Sequence, residues 1–214
     1  MRYNWRISGL WLPDYRLRLP KARGFAQLRY NFLPGHFPAG IVIVPGATPQ
    51  DTGWVIAGAG ANVDVSGDGS WINPENITAS DDNRAGTPFQ GTGDLLKASD
   101  FGLNVPGGAT ITGVETRAEL RSSDGGGGFA TYDYVNIGKD DSTLGTAKDP
   151  DEITTDSDAL YDNGGSNDLW DLSLTPSDVN SSDFQVRIGV DVPAGPSNPD
   201  AECDAIWVKV HYLA

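Results

Sequence analysis

Residues 114–121 read Val-Glu-Thr-Arg-Ala-Glu-Leu-Arg, in which apolar or small side chains alternate with charged ones. Successive side chains of a β-strand point to opposite faces, so one face of this segment is apolar and the other is charged. The same period of two recurs at residues 184–192 and 206–212. Strands of this kind are typical of antiparallel sheets that bury one face and expose the other to water.

A fourth strand is predicted at residues 129–137, where Tyr132 and Tyr134 fall on one face and Val135 and Ile137 on the other. Glycine- and proline-rich turn signals separate the strands from one another. Several short strands joined by such turns predict an all-β fold, namely an antiparallel β-sandwich of jelly-roll type.

Little helix is expected beside these strands. Residues 94–101 fit either two turns of helix or an irregular strand. Residues 175–183 fit a brief helical turn capped by Ser177.

The charge of the chain is divided unevenly along its length. The 214 residues carry 15 Lys or Arg and 29 Asp or Glu, for a formal charge of −14. Residues 1–50 hold seven of the basic residues and one acidic residue, so this segment is +6 and residues 51–214 are −20. Two parts of opposite sign predict two roles, one for a basic arm at 1–50 and one for an acidic sandwich at 71–214. A Gly/Ala-rich transition with a first strand is predicted between them, at 51–70.

The segment 1–50 is also rich in aromatic residues and prolines, which favour extended backbone over helix. We expect an extended N-terminal arm whose basic and aromatic side chains anchor the protein to an acidic protein surface. A disordered tail and an extension folded onto its own domain are the alternatives. The predicted anchoring residues are Arg2, Trp5, Arg6, Trp11, Arg16, Arg18, Lys21, Arg23, Phe25, Arg29, Tyr30 and Phe32.

Composition also bears on compartment and partners. A single cysteine, Cys203, excludes an intramolecular disulfide framework and a cysteine-based zinc site. Basic residues interrupt residues 1–30, so we expect no secretory signal and synthesis in the cytoplasm. Arginines among aromatics suit nucleic acid, but an acidic domain opposes it, and we expect neither a nucleic-acid nor a membrane partner.

Catalytic signals are weak. The two histidines, His36 and His211, show no metal-ligand spacing, and no nucleophile elbow or phosphate loop is present. Carboxylates crowd residues 140–168, but no pair stands apart as an acid and a base. We therefore predict a protein that is not an enzyme and has no cofactor, with a polysaccharide-acting enzyme as an alternative.

Two binding hypotheses stay open. The acidic residues between Asp149 and Asp162 could gather oxygen ligands for Ca²⁺ or form a solvated loop. Exposed aromatic rings could form a glycan platform, although core packing is the more common place for tryptophan in a sandwich. The candidate platform residues are Trp54, Trp71, Tyr132, Tyr134, Tyr161, Trp170 and Trp207, of which Trp207 is expected to point outward.

Four stretches resemble structural proteins of tailed bacteriophages. They are Trp71-Ile-Asn-Pro-Glu-Asn-Ile-Thr-Ala-Ser-Asp-Asp82, Phe101-Gly-Leu-Asn-Val-Pro-Gly-Gly-Ala-Thr-Ile-Thr-Gly-Val114, Asp168-Leu-Trp170 and Ile206-Trp-Val-Lys-Val-His-Tyr212. The resemblance covers about residues 54–213 and not the arm.

This resemblance implies a jelly-roll-like virion component, such as a head decoration, collar or tail-appendage protein, and it brings no catalytic residues. Its implied partners are other capsid or tail proteins, bound through the arm, and further copies of the chain in a homo-oligomer. A glycan- or receptor-binding module of a phage fibre is the alternative function.

Overall fold

The computed structural model describes residues 47–65, 69–87, 90–123, 129–150, 153, 156–194 and 200–214. These residues belong to one compact unit, Pro45–Ala214. The predicted anchoring residues of the arm and His36 lie outside the described residues.

The described residues form two antiparallel sheets, which confirms the predicted all-β sandwich. The first sheet holds β1, β2, β4, β7, β9 and β11, and the second holds β3, β5, β6, β8 and β10. The strands are β1 (Pro49–Asp51), β2 (Val55–Ile56), β3 (Ala59–Val63), β4 (Ala85–Gly86), β5 (Gly91–Thr92), β6 (Leu95–Ser99), β7 (Thr110–Ser122), β8 (Thr131–Gly138), β9 (Ala159–Gly165), β10 (Gln185–Val192) and β11 (Ala201–Leu213).

The order of the strands in space is that of a jelly roll. In the first sheet β11 lies between β7 and the short strands β1, β2 and β4, and β9 lies beyond β7. In the second sheet β10 lies between β6 and β8, and β3 lies beyond β6. From β6 to β11 the chain changes sheet at every connection, so strands that neighbour in sequence face each other across the core.

The core is built from the inward side chains of the longest strands. On β7, Val114, Ala118 and Leu120 are buried, and the apolar residues of β10 and β11 that alternate with polar ones are buried as well. The strands predicted at 114–121, 184–192 and 206–212 are therefore confirmed. Each fully buried Val, Ile or Leu side chain contributes about 1.5–3 kcal/mol to the stability of the fold.

The strand predicted at 129–137 forms as β8, but the predicted pairing of Tyr132 with Tyr134 on one face is wrong. The register passes from Gly189 opposite Tyr134 to Val190 opposite Tyr132, so Asp133 is an extra residue in a β-bulge. The bulge reverses the alternation at this point. Tyr132 consequently points into the core, and Tyr134 is half-buried on the outer side.

Two local predictions are resolved by the backbone. Residues 95–99 form strand β6 rather than a helix. The helix α1 (Pro176–Val179) is capped by Thr175, not by Ser177, since Pro176 occupies the first turn and the capping residue precedes it. The other helix of the described residues is a 3₁₀-helix at Pro74–Ile77, and no described helix is long and apolar enough to span a membrane.

A buried carboxylate ties the end of β3 to the start of β6. Asp94 accepts hydrogen bonds from Asn62 Nδ2 at 2.6 Å, from Ser70 Oγ at 2.9 Å and from the Val65 amide at 3.2 Å. The backbone of Trp71 donates to Asn62 Oδ1, and its indole Nε1 donates to the carbonyl of Asp94. Burial of the charge is tolerated because both carboxylate oxygens are hydrogen-bonded.

Gly60 on β3 packs directly against the 3₁₀-helix. A Cβ added there would lie 1.9 Å from the carbonyl oxygen of Pro74 and 2.8 Å from Ile77 Cγ1. Only glycine lets the strand and the helix approach this closely.

We expect Gly60→Ala to lower the free energy of unfolding by about 3 kcal/mol, because the nearest clash is with backbone that cannot rotate away. Gly86→Ala is the matched control, since nothing lies within 4 Å of the added carbon, and its effect should stay below about 0.5 kcal/mol. Urea denaturation measures both values. Equal unfolding midpoints for the two variants would contradict the close approach.

Candidate functional site

The structure separates the seven candidate platform residues. Trp71, Trp170 and Tyr132 are buried in the core, with 3%, 2% and 1% of their surfaces exposed. The indole Nε1 of Trp170 donates to the carbonyl of Val114 at 3.0 Å. Half-buried Tyr161 packs edge-on against Tyr132. For Trp71, Trp170 and Tyr132 the structure shows core packing, the more common place for such rings in a sandwich, and not the alternative of a glycan platform.

Two of the tryptophans lie on the outer side of the first sheet and are only partly buried. Trp207 projects from β11, where its neighbours across the sheet are Ile56 of β2 and Arg117 of β7. The guanidinium carbon of Arg117 lies 4.1 Å from the ring centroid of Trp54, and the Lys209 ammonium lies 4.5 Å from it. Arg117 therefore adjoins both indoles.

We call this surface the tryptophan face. It consists of Trp54, Glu115, Arg117, Asp162, Trp207, Lys209 and His211. The expectation that Trp207 points away from the core is confirmed, although the side chain is half-buried rather than fully exposed.

A two-pronged ion pair fixes Arg117 in place. Its Nε donates to Asp162 Oδ1 at 2.6 Å, and its Nη2 donates to Asp162 Oδ2 at 2.7 Å. The bond to Asp162 raises the pKa of Arg117 above its ordinary value, against the opposing effect of burial. These two parallel hydrogen bonds to one carboxylate fix the orientation of the guanidinium beside the ring of Trp54.

Glu115 links two residues of β11. Lys209 Nζ lies 2.9 Å from Glu115 Oε2, and His211 Nε2 lies 2.5 Å from Oε1. Burial alone would raise the pKa of Glu115, but the hydrogen bonds from Lys209 and His211 lower it below its ordinary value. The carboxylate is thus charged at neutral pH, and it fixes the position of Lys209 beside Trp54.

Ion pairing extends over the whole sandwich. Every Lys and Arg of residues 51–214 lies within ion-pair distance of a carboxylate. The eight residues are Arg84, Lys97, Arg117, Arg121, Lys139, Lys148, Arg187 and Lys209.

Four of the acidic residues between 140 and 168 belong to separate ion pairs. Among the described residues, no group of three His, Cys, Asp or Glu side chains is placed to hold a metal ion. Asp151 and Glu152 of the predicted calcium segment lie outside the described residues, so calcium binding there stays a prediction. The pairs are Asp141 with Lys97 and Arg187, Asp158 with Arg84, Asp162 with Arg117, and Asp168 with Lys148.

Comparison with known proteins gives distant likenesses only. No family model and no curated protein matches the chain. Among solved structures, a xylan-binding module described as CBM15 is 14% identical with a TM-score of 0.39, over 79% of this chain and 98% of that one. The CBM22-1 and GH10 modules of Clostridium thermocellum endo-1,4-beta-D-xylanase 10B, complexed with xylohexaose, are 12% identical with a TM-score of 0.35, over 74% of this chain and 26% of that one.

Both TM-scores are too low for the likeness to carry an argument. The resemblance to structural proteins of tailed phages, with the virion location and the capsid or tail partners that it implies, stays a prediction.

Sequence reasoning missed Glu115, Arg117 and Lys209 as site residues, although it placed all three on the outward side of their strands. The missing information was the register between β7 and β11, which sets Arg117 beside Trp207 and Glu115 beside Lys209. The sequence places Asp162 only in the predicted calcium segment. Alternation identifies outward residues but not their neighbours.

Replacement of Glu115 by Gln tests the ion pairs of the tryptophan face. Because the folded-state pKa of Glu115 is lowered, its stabilisation is complete above the ordinary Glu pKa of about 4.3 and is lost as the pH falls through the lower folded value. We expect Glu115→Gln to cost about 1 kcal/mol at pH 7 and nothing at a pH well below that range. Urea denaturation at the two pH values measures this difference.

Glu75→Gln is the control, since this glutamate is exposed and has no ion pair among those of the described residues. It should leave the stability unchanged at both pH values. A pH-independent cost for Glu115→Gln would show that the side chain acts through packing and not through its charge.

Proposed function

We propose that residues 45–214 form a carbohydrate-binding module, that the tryptophan face is its ligand surface, and that it binds without catalysing a reaction. The observation that carries the proposal is the placement of Trp54 and Trp207, both partly exposed, next to the same arginine on one outer sheet face. This placement supports the glycan-platform alternative for these two residues.

The chemistry of the tryptophan face suits a sugar ring. A pyranose presents an apolar face of C–H groups and a rim of hydroxyls, so an indole contacts the first while charged or amide side chains hydrogen-bond the second. Asp162 and Glu115 hold Arg117 and Lys209 in fixed positions beside Trp54. Fixed side chains lose little entropy when a ligand binds, which favours affinity.

The ligand that we propose is a neutral polysaccharide. Because the cations of the tryptophan face are already paired with carboxylates, binding rests on stacking and hydrogen bonding rather than on charge. An open sheet face also accepts several units of a chain more readily than a single small molecule.

Native gels that contain soluble polysaccharides provide the test. The full chain should be retarded by at least one neutral glucan, xylan or mannan. Trp54→Ala and Trp207→Ala should each weaken this retardation at least about tenfold, which corresponds to about 1.4 kcal/mol of lost contact. Melting curves show whether each variant is folded, and Trp54→Tyr should recover part of the affinity by restoring an aromatic ring.

Ile72→Ala is the matched control because Ile72 is an exposed apolar residue, 51% accessible, outside the tryptophan face. Its retardation should equal that of the unaltered chain. The proposal fails if no neutral polysaccharide retards the chain, or if Ile72→Ala weakens binding as much as the tryptophan variants do.

A second candidate function rests on the division of charge. All charged residues of 1–50 lie before the compact unit that begins at Pro45. We propose that this basic segment attaches the protein to an acidic surface of another capsid or tail protein in a phage particle, where further copies of the chain join it. Opposite charges steer such an encounter and fix its orientation.

Deletion of residues 1–44 tests the attachment. The cut must stop before Pro49, because β1 pairs with β11 in the first sheet. We expect the truncated chain to keep its melting temperature and its polysaccharide binding but to be absent from sedimented particles. Incorporation of the truncated chain into particles at the level of the full chain would overturn the attachment role.

A further inference from the structure

A groove lies on the outer side of the second sheet, across the sandwich from the tryptophan face. This groove has a volume of about 370 Å³, within the range of small-molecule sites. The described residues that line it are all polar, and none of these is aromatic or aliphatic. They are Lys97, Ser99, Asp140, Asp141, Ser142, Ser182, Asp183 and Gln185.

The floor of the groove is formed by β6 and β10. Ser99 and Lys97 project from β6, and Gln185 projects from the first position of β10. Gln185 is 1% exposed and Arg187, next on the same face, is 6% exposed. Arg187 Nε donates to Gln185 Oε1 at 2.9 Å, so the floor is rigid before any ligand arrives.

The first wall is the loop after β8. Asp140 Oδ1 accepts from the backbone amides of Ser142 and Thr143 at 2.8 and 2.7 Å, which closes a tight turn. The neighbouring Asp141 reaches across to the floor, where Oδ1 lies 2.7 Å from Arg187 Nη2 and 3.1 Å from Lys97 Nζ. The wall is therefore clamped to both floor strands.

The second wall is the segment that enters β10. The carbonyl of Ser182 accepts from the Asp100 amide at 3.1 Å, and the amide of Asp183 donates to Ser181 Oγ at 3.1 Å. These bonds fix the backbone of both residues. The side chain of Asp183 is exposed and lines the groove.

The charges of the groove determine what it can bind. Lys97 and Arg187 are already paired with Asp141. The carboxylates of Asp140, Asp141 and Asp183 would therefore repel an added anion. Among the described residues no three ligand-type side chains converge on a metal position. The Gln185 amide is bonded to Asp141 and Arg187. The remaining groups are serine hydroxyls and carboxylate acceptors, which are the partners of a polyol.

We propose that the groove is a separate binding site for a single neutral sugar unit, whose hydroxyls donate hydrogen bonds to the aspartate carboxylates and exchange them with the serine hydroxyls. The site is independent of the tryptophan face, which we propose binds along the length of a polysaccharide chain. A polar groove of this size suits one unit, such as the terminus of a chain or a free monosaccharide.

Protein-observed NMR titration of the full chain tests the proposal with D-glucose, D-galactose, D-mannose and D-xylose, and with D-glucuronate as the anionic comparison. At least one neutral sugar should shift amide signals of the groove. Asp183→Ala should lower the affinity for that sugar about tenfold, because a hydrogen bond to a charged group is lost.

Asp191→Ala is the matched control. Asp191 is an exposed aspartate at the other end of β10 and does not line the groove, so its variant should bind like the unaltered chain. Trp54→Ala should also leave monosaccharide binding intact, which separates a failure of this site from a failure of the tryptophan face.

Three results would overturn the proposal. They are the absence of shifts with every neutral sugar, tighter binding of D-glucuronate than of any neutral sugar, and equal affinities for Asp183→Ala and Asp191→Ala. Melting temperatures measured beside the titrations show that each variant is folded.

Discussion

The long antiparallel pairing of β7 with β11 is the constraint on which the rest of the sandwich depends. The two strands stay in contact from Thr110 opposite Leu213 to Ser122 opposite Ala201, with two breaks in register. β9 adds to the outer edge of β7, and β1, β2 and β4 add along the other edge of β11. Their inward side chains form one wall of the core, and their outward side chains form the tryptophan face.

Both proposed ligand surfaces share one design, in which charged side chains are bound to each other before a ligand arrives. On the first sheet, Asp162 holds Arg117. On the second sheet, Asp141 holds Arg187 and Lys97. Exposed ion pairs such as that of Arg117 with Asp162 add little to stability, with a typical value of about 0–1 kcal/mol. Their larger effect is to position donors and acceptors and to cancel the local charge.

The sequence predicts the fold class well because the strict alternation at residues 114–121 admits one reading. It predicts less where the backbone departs from regularity. The bulge at Asp133 moves Tyr132 into the core. No pattern in the sequence predicts that Asp133 is an extra residue in the strand. The candidate site is likewise predictable only in part. The alternation places Trp207 on the outward face, but the register between β7 and β11 is needed to place Arg117 beside it. The groove joins two loops and two strands from distant parts of the chain, so its lining residues share no motif.

All eight cations in residues 51–214 are paired with carboxylates, and this part of the chain keeps a net charge of −20. If the sandwich binds a polysaccharide as we propose, copies bound side by side on one strand will repel each other across any gap comparable to the Debye length, about 10 Å at an ionic strength of about 0.1 M. The spacing of bound molecules along the strand is then set by salt as well as by the footprint of each module. Dilute buffer favours sparse coverage, and concentrated salt permits a dense coat.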